Sequence, residues 1–394
     1  MTGTSEAYVL AGCRTAIGTA FKGTLNQTSA FELAETVVEQ AVSRSGVRAE
    51  DIDDILLGEV MQGGGDLARH TAVRLGLTSA PGLALQRQCA SGLSAVAGAA
   101  ASIKAGMDRV VVAGGVESSS TRPASAYRTP GTDEWQQPWM PPSHPATPEA
   151  PADDMSITVG WNTAQLAGIG REEMDAWALR SHERALAAID DGRFAEEIVP
   201  IKAARPDGET VLFDTDEHPR RGTTSERLAG LRVLHPEIEG FSITAGNSSG
   251  INDGAAALVL GDSDAVLRSG EAPLGVVRSW ASVGVDPVRT GLAPQLAIPK
   301  ALERAGLTVA DVDLWEINEA FASVAVAAVR GLGLDEEKVN VSGSGCSLGH
   351  PVAATGARMV VTLLHELRRR GGGIAVAALC AGGGMGSALV LEAR

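Results

Sequence analysis

The chain has few aromatic residues: Phe, Trp and Tyr make up 4% of its 394 positions, so any core must be built mainly from Ala, Val, Leu and Ile. Small-residue cores of that kind suit α/β sheets covered by helices. Cysteine is also scarce. Four of them (Cys13, Cys89, Cys346, Cys380) in a chain of this length do not make a disulfide framework. Cys89, Cys346, His350 and Cys380 are metal-ligand types, but no CxxC or HxxxH pair anchors a zinc site, so no metal is expected. No apolar run approaches the ~18 residues of a membrane helix, and insertion into a membrane is not expected. The opening Met1-Thr2-Gly3-Thr4-Ser5-Glu6 lacks a basic region leading into an apolar one, so a secretory signal is not expected and a cytoplasmic location is. Extended basic runs are missing as well. With 33 Lys and Arg against 48 Asp and Glu, the net charge of −15 argues against nucleic acid as a partner.

Glycine is what the chain has in quantity. Its 47 glycines, set among frequent apolar runs, point to tight turns and close backbone approaches rather than to disorder. The length suits two or three domains. The chain also echoes itself. Ser45-Gly46-Val47-Arg48-Ala49-Glu50-Asp51-Ile52-Asp53 resembles Ala305-Gly306-Leu307-Thr308-Val309-Ala310-Asp311-Val312-Asp313 at a constant offset of 260 residues. In each copy an amphipathic helix (33–44; 296–304) precedes a Gly turn, an Asp-rich turn and a short apolar strand. Later, an Ala-rich helix and an apolar strand (109–115) follow Cys89, and a helix and strand (373–380) follow His350. Two similar α/β halves, each with a sheet and packed against one another, are expected. Between them, residues 121–154 are rich in Pro, Ser and Thr with Trp135 and Trp139, which suggests an ordered loop over a site or a subunit contact. A strong helical pattern from Arg171 to about Asp190 follows.

Chemistry concentrates at four places: Gln88-Cys89-Ala90-Ser91-Gly92, Asn318-Glu319-Ala320-Phe321, Gly349-His350-Pro351 and Cys380-Ala381-Gly382-Gly383-Gly384. Two thiols and an imidazole suffice to carry an acyl group on sulfur and to move a proton at a neighbouring carbon. Cys89 is expected at a helix N-terminus, where free N–H groups lower a thiol pKa. His350, followed by Pro351, is expected to project from a second helix start. The glycines after Cys380 allow backbone N–H groups to approach an oxyanion. Asn318 occupies the repeat position of Gly58, so its amide stands where the first half has no side chain.

Together with Ala113-Gly114-Gly115-Val116-Glu117-Ser118 and Thr244-Ala245-Gly246-Asn247-Ser248-Ser249-Gly250, these motifs resemble those of the thiolase family, the acetyl-CoA acetyltransferases and 3-ketoacyl-CoA thiolases, over essentially the whole length. The resemblance implies a thiolase-like αβαβα core of five layers with an inserted loop domain. Its divisions would be residues 1–118 completed by 247–271, a loop domain at 119–246, and a second half at 272–394. It implies an acyl-enzyme on Cys89 activated by His350, with Cys380 as acid or base at the α-carbon. One oxyanion would be held by His350 and a water on Asn318, the other by the N–H groups of Cys89 and Gly382. Coenzyme A would be a substrate, with no tightly bound cofactor. Arg220 and Ser249 match coenzyme A contacts and Met155 an acyl-pocket position; Phe321 belongs to the same site, and Arg227 would add to a local basic patch formed by Arg220-Arg221. A homodimer or homotetramer and a role in fatty-acid metabolism, including β-oxidation, are implied too.

Several positions depart from that pattern. Gly343-Ser344-Gly345-Cys346-Ser347-Leu348 replaces a run that usually reads Gly-Gly-Ala-Ile-Ala-Leu, adding a third thiol. Asp154-Met155 stands where His-Met is frequent, Leu234-His235 where Ala-Phe is usual, and Arg227 where serine is common. Ketoacyl-ACP synthases use two histidines where this chain offers His350 and Cys380. The sterol-carrier type replaces Asn-Glu-Ala-Phe. A non-catalytic or altered-substrate acyl-CoA binder is the alternative of a different class.

Overall fold

The computed structural model describes residues 6–204 and 208–394; the opening residues 1–5, on which the reading of the N-terminus rests, lie outside them. The elements that build the core are β1 (Ala7–Arg14), α1 (Ala30–Ser45), β2 (Asp54–Gly58), α2 (Leu67–Arg74), β3 (Leu83–Leu85), α3 (Ser91–Ala105), β4 (Val110–Ser118), α4 (Arg171–Asp190), β5 (Asn252–Gly261), β6 (Gly275–Gly284), α5 (Pro294–Ala305), β7 (Leu314–Ile317), α6 (Ala322–Leu332), α7 (Thr355–Arg369), β8 (Gly373–Ala381) and β9 (Met385–Ala393).

The sequence echo becomes a structural repeat. Ser29 and Glu32 cap the start of α1 reciprocally, and Gly46 ends it in the left-handed conformation at φ 68°. Pro294 opens α5, and Gly306 ends it at φ 68°. A short 3-10 turn follows each helix, Ala49–Asp51 in one half and Val309–Asp311 in the other, before β2 and β7 respectively. The match weakens at the third unit. In the first half β3 pairs with β2 in parallel, whereas in the second Val339 makes only an isolated bridge to Trp315.

The strands run in the order β7-β8-β9-β6-β1-β5-β4-β2-β3, with Gly18–Thr19 added beside β5 to complete a ten-stranded sheet. Sequence alone suggested two separate sheets. Instead β1 and β6, the first strands of the two halves, pair antiparallel through Ala7 with Val277 and Val9 with Gly275, so the half-sheets are continuous. Alternation along each strand then defines layers. Val110 and Val112 of β4 pack with Leu33 and Val37 of α1 on an outer face. Val111 and Ala113 join Val96 of α3, Val360 of α7 and Ala377 of β8 in the middle. On the other outer face, Val376 and Val390 meet Ile298 of α5 and Val324 of α6. The succession is α1/α2, half-sheet, α3/α7, half-sheet, α5/α6: five layers.

Described residues of the segment between the halves are tied to both of them. Arg14 of β1 is fully buried and bonds Glu197 at 2.6 Å and Asp216 at 2.8 Å, fixing that segment to the first half. Glu319 fixes α4 to the second half, accepting from Trp177 Nε1 at 2.8 Å, Ser181 Oγ at 2.6 Å and Asn340 Nδ2 at 2.7 Å. Among the described residues, no helix is long and apolar enough to cross a membrane.

Candidate active site

The site forms where α3 and the turn ahead of α7 meet without side chains between them. The N–H of Gly92 donates to Ala353 O at 2.9 Å. A Cβ on Gly92 would lie 2.6 Å from Ala353 O, and one on Gly356 2.5 Å from the Leu93 nitrogen. Glycine at both crossings is therefore a condition of the contact. Cys89 stands two residues before α3. The preceding Gln88 has φ 48°, a strained conformation for a residue with a side chain, in a turn closed by Ser91, whose Oγ donates to Gln88 O at 2.7 Å and accepts from the Arg87 N–H at 2.8 Å.

His350 does not head a helix as Pro351 suggested. A turn over 351–354 intervenes, and α7 starts at Thr355. The turn is set by Gly349 at φ 100°, where a Cβ would meet the Asn252 side chain at 2.5 Å, and by the His350 N–H donating to Asn252 Oδ1 at 3.0 Å. The imidazole Nδ1 lies 2.7 Å from Thr355 Oγ1, which itself donates to Pro351 O at 2.9 Å. Because the hydroxyl's single proton is used there, its oxygen accepts Nδ1–H, and Nε2 is left with its lone pair. The Asn318 amide nitrogen is 3.5 Å from both ring nitrogens, at the limit of hydrogen bonding, and Asn318 Oδ1 is buried with no partner. At the equivalent Gly58 a Cβ would be 2.6 Å from the Gly92 nitrogen, so an amide fits only in the second half.

A cavity of about 410 Å³ unites Cys89, His350, Cys380, Gly382, Ser249, Met155 and Phe321. The N–H groups of Gly382 and of Cys89 itself face the Cys89 sulfur. A lowered thiol pKa was expected for Cys89. Instead burial, helped by the Glu117 charge, outweighs those two N–H groups and pushes the thiol up to about 11. Burial, then the neighbouring Cys89, pushes the Cys380 thiol up as well. Burial, then Arg358, pulls His350 down to about 3. Burial thus disfavours the charged forms of both thiols and of the imidazole.

Arg220 and Arg227 line a different, neighbouring cleft of about 490 Å³ together with His182 and His218. One loop serves both spaces: Ala245 and Gly246 face the cleft, Ser249 and Gly250 the cavity. Cys346 borders the arginine cleft rather than the Cys89 cavity; its N–H donates to Glu319 Oε2 at 3.1 Å, and burial holds its thiol well up. Sequence reasoning did not single out Glu117, which is fully buried, accepts from Gln62 Nε2 at 3.0 Å and the Ala353 N–H at 3.3 Å, and is pushed up to about 7 by burial. Its place within a quoted motif was the only signal. Met140, Pro141 and Ser143, also in the cavity wall, come from the aperiodic loop and carried none. No group of side chains among the described residues could hold a metal ion.

Comparison with known proteins settles the family. The thiolase N-terminal domain model matches residues 7–264 and the thiolase C-terminal domain model residues 271–393. The chain belongs to the thiolase family. An acetyl-CoA acetyltransferase of Syntrophomonas wolfei is 41% identical over 403 residues, covering 99% of this chain and 100% of the relative. Among solved structures, the Bacillus anthracis acetyl-CoA acetyltransferase superposes with a TM-score of 0.91 at 40% identity, covering 100% of both chains. A human mitochondrial 3-ketoacyl-CoA thiolase in complex with CoA follows at 0.87 and 34% identity, covering 100% of this chain and 99% of that one. The thiolase fold thus extends along the whole chain.

Proposed function

We propose that this thiolase, an acyltransferase, works through Cys89, His350, Cys380, Asn318 and Gly382. In cleavage, the Cys89 proton passes to His350 Nε2 and the sulfur attacks the keto carbon of a 3-ketoacyl-CoA. The bond between the α- and keto carbons breaks, Cys380 gives its proton to the α-carbon, and acetyl-CoA leaves. The thiol of a second coenzyme A then gives its proton to the Cys380 sulfur and takes the acyl group from Cys89, whose sulfur recovers its proton from His350 as the shortened acyl-CoA leaves. Run backwards, the same steps condense two acetyl-CoA. The convergence of both thiols, His350 and Gly382 on one cavity carries this reading. The buried acceptor of Asn318, free of any protein partner, supports its role in holding a water beside His350. The N–H groups of Cys89 and Gly382 would hold the other oxyanion.

Coenzyme A is a substrate in this scheme rather than a resident cofactor. Its phosphates would lie near Arg220 and Arg227 and its pantetheine arm along Ser249, with Met155 and Phe321 against the acyl group. The division into 1–118 with 247–271, 119–246 and 272–394, a cytoplasmic homodimer or homotetramer, and a part in β-oxidation belong to the same proposal. Coenzyme A-dependent cleavage of acetoacetyl-CoA and longer 3-ketoacyl-CoAs tests it. Turnover by the native protein and none by Cys89→Ala is the expected result; no turnover of any chain length, with Cys89 still open to alkylation, would favour an acyl-CoA binder.

A further inference from the structure

Two of the positions that depart from the family pattern, 81 residues apart in the chain, meet in the fold. His235 Nε2 lies 2.8 Å from Asp154 Oδ2, and His235 Nδ1 lies 2.7 Å from Glu237 Oε1. Asp154 has a second task. Its Oδ1 accepts from Ser156 N at 2.9 Å and Ser156 Oγ at 2.6 Å, capping the π-helical turn Ser156–Trp161. Both neighbours of Asp154 in sequence, Asp153 and Met155, line the cavity of Cys89. On the other side, the Leu234 N–H donates to Ile243 O at 2.9 Å, and Val233 bridges Thr244, where the loop shared by the two cavities begins. The pair therefore braces the cavity wall against that loop.

We infer that His235, paired with Asp154, is a positioning residue that sets the affinity for coenzyme A by holding the loop 244–250, which lines the Cys89 cavity at one end and the arginine cleft at the other. The inference rests on the proposed placement of coenzyme A across both spaces. The groups facing the imidazole are the carboxylates of Asp154 and Glu237 and the ring of Phe241, whose centroid is 5.0 Å away. With an acceptor at each nitrogen, both contacts are hydrogen bonds only in the doubly protonated ring. The two carboxylates, Glu237 first, raise the His235 pKa above its ordinary 6.5. The brace is complete below that raised value and loses one hydrogen bond and its charge attraction as pH rises through it.

Calorimetric titration with coenzyme A at pH 6.5 and 8.5 reads the brace without turnover. His235→Phe keeps a ring against Phe241 and removes both bonds, while Asp154→Asn removes the charge and keeps a capping oxygen. The native protein is expected to bind roughly threefold more weakly at the higher pH, the size of a partly exposed ion pair, relative to both variants. In steady-state cleavage the variants are expected to raise KM for coenzyme A with kcat kept. Identical pH dependence of affinity in all three proteins would overturn the inference, as would a fall in kcat and Tm with affinity unchanged. A native protein that turns over no substrate yet shows the expected binding difference would sink the proposed reaction and leave this inference standing.

Discussion

A thiol pushed up to about 11, in one cavity with an imidazole pulled down to about 3, favours the uncharged pair, so in the proposed reaction Cys89 would hand its proton over during attack rather than wait as a thiolate. Its alkylation by iodoacetamide should therefore keep rising with pH up to 10. A plateau near pH 7 would reveal a thiolate–imidazolium pair in the resting enzyme. Asn318 touches His350 only at the limit of bonding and has an unpartnered oxygen, which fits a task met in the transition state. Asn318→Ala should lower kcat by about 10²–10³ with little change in KM, as for loss of an oxyanion donor. Steady-state rates on acetoacetyl-CoA check the split, and a rise in KM alone would reassign Asn318 to ground-state binding.

Helix packing carries the next level of control. Because a Cβ on Gly92 would press on Ala353 O, Gly92→Ala must move α3 away from the turn that holds His350. It should cost about 1–3 kcal/mol of stability and slow turnover together, read from denaturant midpoints and kcat on the same preparation. Arg358 of α7 and Glu316 of β7 form a buried ion pair in the second half. Arg358→Met strands that carboxylate, and a loss of about 3–5 kcal/mol is expected; a loss under ~1 kcal/mol would mean Glu316 is already protonated. Much of this level was legible in the chain. Gly46 and Gly306 mark the repeat because both must end a helix with positive φ, and unbroken apolar strands such as 110–113 show that both faces of the sheet are covered. The joining of the half-sheets was not legible, since the β1–β6 pairing depends on backbone bonds that no side-chain pattern encodes. The turn after His350 was missed for a similar reason: Pro351 suits a helix start equally well, and the deciding contact, Asn252, is 98 residues away. The four reactive motifs were visible because glycine beside a thiol or an imidazole is a local signature, whereas Glu117 and the Asp154–His235 pair take their meaning from distant partners.

Across the whole molecule, burial of histidine links activity to acid tolerance. His182 and His218 are pulled down to about 4 and His350 to about 3, in each case chiefly by burial, whereas an unfolded chain protonates imidazole near 6.5. The unfolded state thus takes up protons that the folded state refuses. Stability should be fully present above ~6.5 and fall as pH drops from there toward 4, by up to ~1.4 kcal/mol per pH unit for each imidazole. Urea midpoints at pH 7.5 and 5.0 measure the slope, which His182→Asn with His218→Asn should flatten. The joint between the half-sheets has a different consequence. Cys89 belongs to one repeat and His350 and Cys380 to the other, and the chain passes between them through the exposed left-handed turn at Gly270. Everything else that holds the repeats together, the β1–β6 pairing and the α3–α7 crossing included, is noncovalent. A backbone cut at that turn should therefore leave two polypeptides, each inert by itself, that regain catalysis on association, so the protein is in effect an obligate heterodimer joined by one peptide link.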